Sequence, residues 1–80
     1  MREVKIIRSA RKHRVTVEQI LEALNNAGEP VKSEPGQHAG EIAYSFIGTD
    51  RQGEEIEIVA IEQPRWLLII HAMPTRWRNT

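Results

Sequence analysis

Eighty residues with eleven basic and eleven acidic side chains make one small, formally neutral domain, and a chain of this size buries only about 60% of its unfolded surface. The absence of cysteine excludes disulfides and thiolate metal sites and fits a reducing cytosol. The start, MREVKIIRSARKHR, breaks its apolar pair with charges and reads as neither a signal peptide nor a membrane span, so the expected location is cytoplasmic and no membrane partner is expected.

Charge is segregated along the chain. Residues 1–14 carry six basic side chains against Glu3 alone, and residues 65–80 add Arg65, Arg76 and Arg78. Residues 15–64 hold ten carboxylates against Lys32 and Arg51. If the termini meet, one face would be positive and suited to phosphates, the other negative and suited to a basic partner. Ordinary solvated surface is the alternative.

The elements follow in order. Val4, Ile6 and Ile7 among charges predict a short edge strand over 3–7. Ser9 could cap one helical turn through A-R-K-H-R. Thr16 opens the main helix, because T-V-E-Q forms a capping box with Gln19, and Val15 can staple onto Ile20. Val17, Ile20, Leu21, Leu24 and Ala27 form its apolar stripe, with Glu18, Glu22 and Asn25 turned away and Gly28 as a left-handed stop. Residues 29–40 read as a loop with one extended stretch near Val31.

Three strands are then predicted. The first covers 41–47, with Ile42, Tyr44 and Phe46 on one face, and G-T-D-R-Q-G turns the chain. The second covers 54–61. The third, 66–72, is a nearly continuous apolar run that suits an interior position, and Pro74 ends it. The predicted fold is α+β over residues 1–80: a short N-terminal strand, one amphipathic helix, and a three-stranded antiparallel meander with the helix on one sheet face.

His13, His38 and His71 lack the spacing of a metal-binding helix, the glycines form no phosphate cradle, and no serine sits in a nucleophile elbow. No metal or cofactor is expected. What remains is a cluster of basic and imidazole groups at the two chain ends. Arg11, Lys12, Arg76 and Arg78 can hold phosphate. His13 and His71 can exchange protons near neutral pH, and Trp77 offers a flat surface to an unstacked base. Each has a plainer reading. His71 is in phase with Leu67 and Ile69 and would serve as a core histidine, His13 could end a turn, and R-W-R could be a frayed tail. His38 is assigned nothing.

Three segments resemble the BrnT-type branch of the RelE/ParE-like toxins of bacterial type II toxin–antitoxin systems. A-R-K-H-R-V-T-V-E-Q-I at 10–20 is similar to the family's K-H-G-V/I-S/T-x-E-E helix opening. Y-S-F-I-G-T-D-R-Q-G-E-E-I-E-I-V-A at 44–60 is similar to its hairpin, and L-L-I-I-H-A-M-P-T-R-W-R at 67–78 to its last strand and basic exit. Lys12 and His13 match the family's K-H. Arg14 stands in place of its glycine, His71 of its serine and Met73 of its arginine, and its C-terminal helix has no counterpart.

The resemblance implies a RelE-like fold and a toxin-like endoribonuclease acting on messenger or ribosome-associated RNA, held inactive by a cognate antitoxin. The residues leave a second reading open: a non-catalytic RNA- or protein-binding module on the same fold. A homodimer is compatible with either.

Overall fold

The computed structural model describes residues 3–11, 13–32 and 42–77, with the backbone alone for Ser9 and Arg11. Strand β1 (Glu3–Ile6) leads into a 3-10 turn (Arg8–Arg11), helix α1 (Val17–Asn25) and the two-residue β2 (Val31–Lys32). Then come β3 (Ala43–Thr49), β4 (Glu55–Glu62), β5 (Trp66–Pro74) and a final 3-10 turn (Thr75–Trp77).

The fold is α+β, as the periodicities predict, but the sheet is larger than a three-stranded meander. Five strands lie in the order β1-β5-β4-β3-β2, with β1 parallel to β5 and every other pair antiparallel. The β3–β4–β5 meander is its centre. β1 adds to the free edge of β5, pairing Val4 with Leu67 and Ile6 with Ile69, and this places β5 in the interior over its first half.

The capping box of α1 is present in both directions: the Gln19 amide donates to Thr16 Oγ1 at 3.1 Å, and the Thr16 amide donates to Gln19 Oε1 at 2.9 Å. The helix stops earlier than predicted. Asn26, not Gly28, is its C-cap, and its side chain donates to the Thr49 carbonyl at 2.9 Å. Gly28 has no positive φ; the left-handed residues described are Gly53 and Arg14. Ser9 lies inside the first 3-10 turn rather than ahead of it, and its side chain is outside the described residues.

One sheet face carries the helix. Ile20 and Ala23 of α1 pack with Ile56, Ile58, Ala60, Ile69 and Ala72, with Ala10 and Val15 closing the cluster. Ile20, Ile56, Ile58 and Ile69 are fully buried, and each such side chain contributes about 2 kcal/mol relative to exposure. The predicted stripe is rotated: Val17 and Leu21 remain 37% and 45% exposed, while Ala23, absent from that stripe, is sealed.

Gly48 has to lack a side chain because β3 passes directly beneath the helix backbone at Ala23. A Cβ on Gly48 would overlap the Ala23 carbonyl and crowd Ala27. β3 therefore runs on through Gly48 to Thr49, and the turn shrinks to the residues after it. Pro74 does not stop β5 short. It is the strand's last residue, opposite Ile56.

Candidate functional site

β5 carries the feature that defines the site. On its partner β4, Ile56, Ile58 and Ala60 point to the helix, so Glu55, Glu57, Val59 and Ile61 point to the other face. Ala60 pairs with Ile69 but Val59 pairs with His71, so Ile70 is an extra residue, a β-bulge. Strict alternation would have put His71 beside Ile69 in the core. The bulge resets the phase: Ile69 and Ala72 are both buried, and His71 emerges on the helix-free face with its side chain 29% exposed. The core-histidine reading fails for this reason.

His13 is brought to the same place from the opposite end of the chain. Ala10 and Val15 are both buried and fix the segment on either side of it. Between them Arg14 has φ 65°, a left-handed conformation that turns the chain toward α1 and costs an L-residue about 1 kcal/mol. The rings of His13 and His71 meet edge to face with centroids 5.7 Å apart, and Trp77 packs against His13 at 5.8 Å.

The last 3-10 turn is pinned to the start of β4. Thr75 Oγ1 donates to Glu55 Oε1 at 2.7 Å, and Arg76 Nε donates to Glu54 Oε1 and Oε2 at 3.0 and 3.2 Å. Those bonds hold Trp77 over His13, so R-W-R is not a loose tail as far as Trp77. The Arg76 guanidinium lies 5.9 Å from the Trp77 ring. Its ion pair with Glu54 is solvent-accessible, and pairs of that kind contribute at most about 1 kcal/mol, so a phosphate can compete for the arginine.

Of the residues predicted for the site, His13, His71, Trp77 and Arg76 are thus neighbours. Lys12, Arg78 and the Arg11 side chain lie outside the described residues, as does His38.

The expected positive face turns largely on Arg2, Lys12, Arg78 and the Arg11 side chain, which lie outside the described residues. Arg76 meets Glu54, Arg51 meets Glu22 at 2.9 Å, and Glu57 Oε1 lies 3.6 Å from His71 Nε2.

Glu57 is the group that the sequence reading missed. Its alternation with Ile56 and Ile58 reads only as strand periodicity, and the bulge on the neighbouring strand makes it a histidine's companion.

A hollow of about 540 Å³ lies between α1 and the β3–β4 turn, lined by Thr16, Glu18, Gln19, Glu22, Asp50, Arg51 and Gln52. It contains neither histidine, and its polar groups are largely bonded to one another, which marks it as structural. Among the described residues no group of three His, Cys, Asp or Glu is placed to hold a metal ion, and no helix is long and apolar enough to cross a membrane.

Comparison with family models, curated proteins and solved structures gives no match, so the reading of this chain rests on its own geometry.

Proposed function

We propose that this chain is a toxin-like endoribonuclease of RelE-like, BrnT-type character, in which His13 and His71 act as an acid–base pair on an RNA phosphodiester. The observation that carries the reading is the meeting of two imidazoles from opposite ends of the chain, with Trp77 beside them. One neutral imidazole removes the 2′-hydroxyl proton, and that oxygen forms a bond to phosphorus. The bond from phosphorus to the 5′-oxygen breaks, and the protonated imidazole gives its proton to the departing oxygen. The products are a 2′,3′-cyclic phosphate and a 5′-hydroxyl, and no metal is required.

Trp77 would stack a base next to the scissile bond, and Arg76, released from Glu54, would join Arg11, Lys12 and Arg78 on the phosphates. The natural setting of such an activity is the cytoplasm, with messenger or ribosome-bound RNA as substrate and an antitoxin as the restraining partner.

The test is inducible expression in a bacterial host beside the double variant His13→Ala, His71→Ala, following growth and total RNA. The expected outcome is growth arrest with RNA fragmentation, reduced at least about 100-fold in the variant. Normal growth with intact RNA overturns the reading and leaves the non-catalytic binding module in its place.

A further inference from the structure

Glu57 has no task in the scheme above, yet its surroundings are unusual for a mid-strand glutamate on the uncovered side of a sheet. Its side chain is only 17% exposed, and the strand bulge delivers His71 Nε2 to within 3.6 Å of its carboxylate. The described ring contacts of His13 are aromatic, to His71 and Trp77. Two protonated imidazoles this close would repel each other, so the geometry favours a single proton on the pair.

A carboxylate beside one ring decides which of the two keeps that proton, because an opposite charge within about 4–6 Å favours the charged form. Among the described residues, a second carboxylate, Glu29, lines the same hollow as Glu57, Arg76 is paired with Glu54, and Glu55 accepts from Thr75.

We infer that Glu57 is a positioning residue that orients His71 and retains the shared proton on it, making His71 the general acid and His13 the general base. The inference rests on the ribonuclease reading for its roles, but not for its geometry. Without Glu57 the proton would be divided between the rings, and only a fraction of molecules would carry acid and base the right way round.

The test has two arms on the purified full chain, using Glu57→Gln, which keeps the shape and removes the charge, and Glu57→Asp, which keeps the charge. The first arm follows the imidazole resonances of His13 and His71 by NMR against pH, assigned with the single histidine variants. Glu57→Gln should move the His71 titration to lower pH and that of His13 to higher pH, and Glu57→Asp should keep most of the wild-type pattern. An unmoved His71 titration in a folded Glu57→Gln protein overturns the inference whether or not RNA is cut.

The second arm measures cleavage of a short single-stranded RNA. Glu57→Gln should lower kcat about tenfold, leave KM unchanged and bring the alkaline limb of the pH profile to lower pH, with Glu57→Asp restoring part of the rate. A rate and pH profile identical to wild type also overturn it. If the wild-type chain cuts no RNA, the ribonuclease reading fails by itself, and the NMR arm still decides whether Glu57 governs the proton.

Discussion

Two polar clusters touch the same β3–β4 turn and have opposite characters. On the helix side, Asp50 is 5% exposed, with both oxygens engaged: Oδ2 accepts from Gln19 Nε2 at 3.0 Å, and Oδ1 from the Gln52 and Glu54 amides at 2.9 Å each. The Gln19 hydrogen bond, helped by backbone donors, holds the Asp50 carboxyl below its ordinary pKa despite burial. On the other side, His13, His71 and Trp77 touch through ring edges and stay partly open to solvent. Glu54 belongs to both clusters, its amide bonded to Asp50 and its carboxylate to Arg76. The first cluster is a lock in which fixed hydrogen bonds tie helix to hairpin. The second is held by ring contacts and leaves its rings within reach of solvent.

The contrast breaks first at Gly48, which lets α1 settle on the locked side. Gly48→Ala should destabilise the protein by about 3 kcal/mol, since the new Cβ meets backbone that cannot move aside. Denaturant unfolding measures this directly, and a loss under 1 kcal/mol would mean that α1 rides further from β3 than described.

The next effect is at Asp50. Because its folded pKa is depressed, it stabilises the fold above the ordinary value of 3.8, and that contribution is lost as pH falls through the lower, folded value. Asp50→Asn should lower the melting temperature at neutral pH and make the acid limb of stability shallower. The histidine titrations should stay in place while the variant remains folded, and coupled changes in both would show that lock and pair are one unit.

The smallest effect concerns Arg14. Arg14→Gly should raise stability by up to about 1 kcal/mol by relieving the left-handed backbone, an effect read as a rise in melting temperature. A fall instead would show that the Arg14 side chain, not its backbone, matters to the segment that presents His13.

Local signals in the sequence were followed closely by the fold. The T-V-E-Q box and the hairpin around G-T-D-R-Q-G each depend on residues a few positions apart, and both form where expected. Facts that live between strands were hidden. Nothing near Ile70 announces a bulge, so the period-two pattern left a core position open to His71 beside its catalytic reading, and nothing near Glu57 announces its neighbour. The helix stripe was misplaced because nine residues span only two and a half turns, and several apolar arcs fit until the sheet selects Ala23 over Val17. His13, Trp77 and Arg76 were legible as chemistry but not as a cluster, since their meeting depends on β1 pairing with β5 and on the last turn's bonds to β4.

The parallel pairing of β1 with β5 also sets when the histidine pair can exist. The partner of β1 is β5, so β1 must wait, unpaired at that edge, through the synthesis of β2, β3 and β4. His13 and His71 come together only after that wait. Every product truncated before β5 lacks the pair, so the meeting of the two rings is a property of the completed sheet alone.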